Sequence, residues 1–276
     1  MPYRTRFIQL ARIAGAAALL LCAAPVLAAG CGRTIVTPLA PVGISVVADG
    51  DKLSGIYPAI LKKVTASTGC MFKTYVVPQA RLESMFELGT ADIMMPAIGT
   101  PRRDQFGDFV PMVGARAMLL SIDSTRPIVH DLAELLKRRE LRVVVVRGND
   151  YGEDYQAALA ELGRQGRLFM EPDPLQVARI LGEGMADVTI LTPMSLAHAM
   201  MEDVRVRPLM DRLRIEELPE LPWRSSGVYL SRKTLSAEQR RYLSLKLKEG
   251  FNAAKVWDQY RRYYPANVVA ASSRLR

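Results

Sequence analysis

Two short stretches of the chain bring together groups that bind anions. The first is Gly99-Thr100-Pro101-Arg102-Arg103-Asp104. Thr is a good helix N-cap and Pro suits the first helical turn, so a short helix starts there. Arg102 and Arg103 then sit in that first turn, where the positive end of the helix dipole disfavours cations by about 0.3–1 kcal/mol each. Asp104 offsets only part of this. Backbone N–H groups, a hydroxyl and a guanidinium at one helix start make an anion site; the alternative is a surface ion pair of Arg103 with Asp104 or Glu87. Arg81, a cation soon after Pro78, repeats the oddity and reads either as a second site cation or as an ordinary helix-surface charge. The second stretch is Arg147-Gly148-Asn149-Asp150-Tyr151-Gly152. Gly148 lets backbone approach a ligand, and Asn149 or Asp150 can cap the next helix. Ala97, just before the first stretch, and Tyr151, within the second, are placed in the same candidate site. Neither stretch is a phosphate loop, because no Gly-Lys-Ser/Thr follows.

Catalytic and metal-binding material is sparse. The 276 residues hold two His and three Cys. There is no G-x-S-x-G and no H-E-x-x-H. His130 falls in an expected loop and His198 on a helix, with no partner at ligand spacing, so both read as structural and no metal or cofactor is expected. Trp223 and Trp257 either line a cleft or pack. The net charge is +9, yet Lys137-Arg138-Arg139 and Arg240-Arg241 are dispersed and carry no interleaved aromatics, which argues against nucleic acid as a partner.

The elements that position these residues alternate. Strands are expected at 35–39, 71–77, 92–98, 117–122, 141–146, 167–171, 187–191 and 227–231. Helices are expected at 56–67, 78–88, 131–139, 151–162, from Asp173-Pro174 to Gly182, and at 236–248 and 252–263. Residues 268–276 carry no pattern and are expected to fray. Strand–helix alternation implies α/β architecture with largely parallel sheets, which bind ligands at the carboxyl ends of their strands. A short internal echo suggests two related lobes with a cleft between them. Ala80-Arg81-Leu82 leads to Gly89-Thr90-Ala91-Asp92-Ile93, and Ala178-Arg179-Ile180 leads to Gly184-Met185-Ala186-Asp187-Val188.

The first 29 residues stand apart. Arg4, Arg6 and Arg12 precede an apolar run from Ile13 to Ala29 that ends in small residues, the layout of a secretory signal cleaved near Ala28 or Ala29. An uncleaved membrane anchor is the alternative. Cys22 leaves with such a signal, so Cys31 and Cys70 remain in an oxidising compartment. Each lies just before an apolar run. If those runs are neighbouring parallel strands, the two Cys sit at the same end, about 4.8 Å apart, close to the Cα spacing a disulfide needs. The competing fate of Cys31 is lipidation, since Leu27-Ala28-Ala29-Gly30-Cys31 is somewhat like a lipoprotein signal.

In order and spacing, these features resemble the bacterial extracellular solute-binding proteins of family 3, the polar-amino-acid type of ABC-transporter receptor. The residues that carry the resemblance are Gly55-Ile56-Tyr57, Gly89-Thr90-Ala91-Asp92 leading to Thr100-Pro101-Arg102-Arg103, Phe109-Val110-Pro111, Gly148, Gly184-Met185-Ala186-Asp187, and Gly227 to Lys233. The resemblance implies a two-lobed type II periplasmic-binding-protein fold with two hinge crossovers and the ligand cleft between the lobes. Lobe 1 then spans 30–115 and 226–276, and lobe 2 spans 116–225. It also implies a monomeric periplasmic protein that delivers a solute to a membrane permease and has no catalytic residue. In such proteins the T-x-x-R Arg, here Arg103, clamps the ligand's carboxylate, and the second-lobe loop at Gly148 and Asn149 adds polar contacts. The chain departs from the pattern at Thr192, where amino-acid binders carry the Asp that holds the ligand's ammonium. Ala59 likewise replaces the acid usual in the first helix. A neutral hydroxyl cannot balance a buried ammonium, so a standard α-amino acid is disfavoured and a carboxylate, another small anion or a polar solute fits better. An enzyme on the same fold, like the family's periplasmic dehydratases, and a solute sensor are the other functions the resemblance allows.

Overall fold

The computed structural model describes residues 31–122 and 125–275. The secretory-signal reading of residues 1–29 lies outside them. Strand β1 (Ile35–Leu39) is followed by a hairpin, β2 (Val47–Asp49) and β3 (Lys52–Ser54), then helix α1 (Ile56–Thr68), β4 (Phe72–Val76) and α2 (Gln79–Leu88). Both helices stop at a glycine in the left-handed region, Gly69 and Gly89, whose N–H groups close onto the last turn. Next come β5 (Ile93–Ile98), α3 (Pro101–Asp104) and the long strand β6 (Gly107–Ala115). Thr100 caps α3 by accepting from the Arg103 amide.

The chain then builds β7 (Met118–Ile122), α4 (Leu132–Lys137), β8 (Val143–Val146), α5 (Glu153–Arg164), β9 (Leu168–Glu171), α6 (Pro174–Gly182), β10 (Val188–Leu191), α7 (Pro193–Glu202) and β11 (Leu213–Glu216). Asp131 and Asp173 cap α4 and α6. It returns along β12 (Arg224–Ser231) and ends with α8 (Ala237–Gly250), α9 (Ala253–Tyr263), α10 (Ala266–Ser272) and the short β13 (Ser273–Arg274).

The strands sort into two bodies. One carries a four-stranded sheet in the order β13-β6-β12-β5, with β1 and β4 paired beside it. The other carries a five-stranded sheet, β11-β7-β10-β8-β9. The second sheet explains the Val run of β8. Val143 and Val145 pack on α5 through Tyr155, Leu159 and Leu162, while Val144 and Val146 pack on α6 and α7 through Val177, Leu181 and Met200. A strand covered on both faces has no polar side to present. In the first body Ile35 and Leu39 meet Ile60 and Val64 of α1, Leu243 and Leu247 of α8, and Val228 and Leu230 of β12.

Pairing differs from the expected, largely parallel order. The β1–β4, β8–β9 and β8–β10 pairs are parallel, whereas β7–β10, β7–β11, β5–β12, β6–β12 and β6–β13 are antiparallel. The reason is the crossover. β6 runs toward the second body and β12 runs back, so they pair in opposite senses, and only strands joined through a helix stay parallel.

Two sequence expectations are realised at the strand ends. β1 and β4 pair in parallel with Ile35 opposite Phe72, and Cys31 is bonded to Cys70 with Cα atoms 5.4 Å apart. That bond leaves Cys31 no thiol to carry a lipid. The internal echo is a true structural repeat. The Asp92 amide donates to the Val36 carbonyl and its carboxylate accepts from the Val36 amide. Asp187 makes the same pair of bonds with Arg142. In each body an Asp after a glycine stop ties one strand's start to its neighbour's. An arginine then meets each carboxylate, Arg33 for Asp92 and Arg142 for Asp187.

The C-terminal expectation is corrected. Residues 266–274 form α10 and β13, with Val268 and Val269 buried. Their order comes from contacts far away in sequence. Ser273 pairs with Ala115. The Ser272 hydroxyl accepts from the Met194 amide at 2.7 Å, and its carbonyl accepts from the Arg116 amide. A seven-residue helix held this way needs no periodicity of its own.

Candidate functional site

A cavity of roughly 340 Å³ lies where the two bodies meet. Its wall takes Tyr57 from α1, Gln79 from α2, Ala97 and Ile98 from β5, and Arg103 from α3. The other body gives Asn149, Asp150 and Tyr151 after β8, Asp173 before α6, and Thr192 and Ser195 at the start of α7. Tyr260, Tyr264, Ser272 and Ser273 complete it from the C-terminal segment. Five of the residues chosen from sequence are therefore on the wall: Ala97, Arg103, Asn149, Tyr151 and Thr192.

Thr100, Gly148 and Arg81 are not on the wall. Thr100 is buried behind it. Its amide donates to the Tyr229 hydroxyl, which itself donates to Asp104. Gly148 has φ +89°, and a Cβ there would lie 2.6 Å from the backbone of Ala80. Only glycine lets this turn touch the start of α2. Arg81 is exposed on α2, as its surface-charge reading has it.

Arg103 reaches the cavity with its charge already met. Its Nε donates to Glu83 Oε2 at 3.3 Å and its Nη2 to Glu83 Oε1. Nη1 donates to the Ile98 carbonyl at 2.8 Å and to the Asp150 carbonyl at 3.4 Å. Both ion-pair partners are buried, Arg103 at 3% and Glu83 at 6% exposure. Neither Asp104 nor Glu87, the partners considered from sequence, pairs with Arg103. Glu87 instead joins Glu83 and Asp150 around Arg102. Glu83 had one legible signal. It lies between Leu82 and Phe86 on the buried face of α2, and an acid on an apolar stripe requires a buried cation.

Asp150 joins the two bodies. Its carboxylate accepts from the Gly152 amide at 2.9 Å within its own loop, and across the cleft from Thr100 Oγ1 at 3.2 Å and Arg102 Nε at 3.0 Å. Burial pushes this carboxyl's pKa up. The Gly152 amide, the Arg103 charge, and the hydrogen bonds from Arg102 and Gln156 outweigh burial and hold it below the usual carboxylate range. Burial raises the phenols of Tyr57 and Tyr151 above their ordinary value, so both stay protonated at neutral pH.

Thr192 and Ala59, read as lacking the acids of amino-acid binders, bring no charge to the wall. Thr192 is on the wall, its hydroxyl 2.7 Å from that of Ser195, and Ala59 faces solvent. Asp150 and Asp173, however, bring carboxylates to the wall from loops where sequence showed them only as helix caps. The Asp173 carboxylate accepts from the Gln176 amide at 2.9 Å. Neither His reaches the cavity. His130 is exposed, and His198 packs on Tyr263 and Tyr264, where burial lowers its pKa. Trp223 lies under Arg274 and Trp257 packs on the first core. Among the described residues no cluster of His, Cys, Asp or Glu is arranged to hold a metal ion, and no helix is long and apolar enough to cross a membrane.

Two bodies joined by a pair of antiparallel crossover strands, with a cavity between them, make a two-lobed fold of the periplasmic-binding-protein kind. Solved structures of this fold align over most of the chain. ArtJ, the arginine-, lysine-, histidine-binding protein of Geobacillus stearothermophilus, matches with TM-score 0.63 at 18% identity over 84% of this chain and 95% of its own. A histidine kinase sensor domain with similarity to periplasmic binding proteins matches with TM-score 0.59 at 18% identity, over 83% and 93%. The ancestral amino acid-binding protein AncCDT-1, a precursor of cyclohexadienyl dehydratase, matches with TM-score 0.62 at 14% identity, over 84% and 96%. No protein-family model matches the sequence, and no curated protein does.

Proposed function

We propose that this chain is a periplasmic solute-binding protein that closes its lobes on a small polar solute and presents it to an ABC-transporter permease. The observation that carries the reading is the cavity walled by both lobes, with Asp150 of one hydrogen-bonded to Thr100 and Arg102 of the other. Closure of this kind gains contacts from both walls at once. The lobes we assign are 30–115 with 226–276, and 116–225, a division supported by the way the strands sort into sheets. Ala97, Arg103, Asn149, Tyr151 and Thr192 are the ligand residues. Thr100 and Gly148 act behind them by fixing the helix start and the approach of the turn.

An enzyme on this fold needs a proton donor or acceptor facing the solute. Asp150 is ion-paired, and burial makes the Tyr57 and Tyr151 phenols reluctant proton donors, so catalysis would rest on Asp173 alone, whereas capture uses the whole wall. A sensor role would use the same closure with a different partner. The test is native mass spectrometry of protein purified under gentle conditions, followed by calorimetry with any solute released. One small molecule per chain, rebinding without turnover, is expected. An empty chain that binds no solute from a periplasmic extract would overturn the reading.

A further inference from the structure

Resting on that solute-binding reading, we infer that Glu83 makes the cavity selective for solutes that carry no carboxylate. A guanidinium has five N–H donors. Four of those on Arg103 are taken: two by the Glu83 carboxylate side by side, one by Ile98 and one by Asp150. Glu83 thus occupies the fork that a ligand carboxylate needs for bidentate contact.

The remaining wall charges do not invite an anion either. Asp150 is held by Arg102 and Thr100. Asp173 forms no ion pair with any described residue. A solute carboxylate entering here meets Asp173 without a free countercharge, or it must displace a buried Glu83. A neutral or cationic solute meets instead one spare Arg103 N–H, the hydroxyls of Thr192 and Ser195, and the Asp173 carboxylate. Glu83 is therefore a specificity-determining residue, a built-in carboxylate that leaves the rest of the cavity to amines, amides or hydroxyls.

The probe is acetate, compared with chloride at equal ionic strength, in thermal unfolding of the full chain. Wild type is expected to be unmoved. Glu83→Ala opens the Arg103 fork, so acetate at about ten times its Kd raises the melting temperature by roughly 3–6 °C. Glu83→Ala combined with Arg103→Ala loses that response. If Glu83→Ala does not fold, Glu83→Ser also vacates the fork while leaving a small polar side chain on α2, and acetate must stabilise it too. Equal stabilisation of wild type by acetate, or no response in the folded Glu83 variants, overturns the inference. So does a co-purified solute whose carboxylate binds wild type in an Arg103-dependent way. A wild type that holds no solute at all would sink the solute-binding reading alone, because the acetate contrast is read without any natural ligand.

Discussion

Asp150→Asn is expected to loosen closure without unfolding either lobe. The Asn side chain still accepts from the Gly152 amide, so its own loop is kept. The two bonds that cross the cleft weaken. The bond from Thr100 changes from a charged acceptor, about 1.5–3 kcal/mol, to a neutral one, about 0.5–1.5 kcal/mol. The ion pair with Arg102 is lost, but the Arg102 side chain is 43% exposed, so solvent screening limits that loss to about 0.2–1 kcal/mol. Arg102 keeps Glu83 and Glu87, so no orphaned charge adds to the cost. The total is about 1.2–2.5 kcal/mol, a roughly 8- to 70-fold fall in the closed-to-open ratio. Single-molecule energy transfer between dyes on the exposed positions Lys62 and Ala157 reads this ratio directly. The same assay gives a pH test. The folded Asp150 pKa is depressed, so its contribution is complete above the ordinary carboxylate value of about 3.9 and is lost as pH falls through the lower folded value. An open population in Asp150→Asn no larger than in wild type would refute the assignment of Asp150 as the link across the cleft.

Three further outcomes follow from particular contacts. Replacing Cys31 and Cys70 by Ser removes a cross-link between residues 39 apart, about 4 kcal/mol in the chain-entropy model, so calorimetry should show a melting point lower by roughly 8–16 °C; free thiols in the oxidised wild type would contradict it. Asp92→Ala should cost about 2–4 kcal/mol in urea unfolding and Asp187→Ala about 1–2 kcal/mol, because the Asp92 side chain is 3% exposed and that of Asp187 32%; the reverse order would refute the comparison. Gly148→Ala places a Cβ against Ala80 at a positive φ, so it should wedge the lobes apart and enlarge the radius of gyration in X-ray scattering while urea stability falls by only about 1–3 kcal/mol; an unchanged radius would show that this turn does not set the lobe spacing.

The regular elements were legible because each carries its own local signal. Thr100-Pro101, Asp131 and Asp173-Pro174 mark helix starts, Gly69 and Gly89 mark ends, and the Val run marks a doubly covered strand. The Cys pair was legible because both residues precede apolar runs of one sheet. What stayed hidden depends on distant partners. Strand β6 carries Pro111 and Gly114, which read as breakers, and its order comes from β12 alongside it. The role of Glu83 depends on Arg103, which is close only after α3 folds back on α2. Asp173 caps α6 as expected, whereas α5 starts at Gly152 with no side-chain cap and Asp150 accepts from the Gly152 amide instead; nothing local says that either loop faces a cavity. Tyr260 and Tyr264 reach the wall from a segment far along the chain, so their aromatic signal points only to packing.

The two sheets close on different schedules as the chain is made. Every strand of the five-stranded sheet lies between Met118 and Glu216, so that lobe can assemble from one unbroken stretch. The four-stranded sheet cannot. Its β5 and β6 wait for β12 to arrive between them, and β6 waits further for β13. Contacts of such long range are slow to form, because the loop must close before any pairing rewards it. As the chain emerges, β1 and β4 can pair early, but β5 and β6 hold apolar faces without partners, and the second lobe can be complete before the first. The cavity is finished last of all, when Ser272 and Ser273 are laid along its wall. A chain arrested before that point presents exposed strand edges, which places the hazard of misassembly on the N-terminal half and makes the final residues the step that removes it.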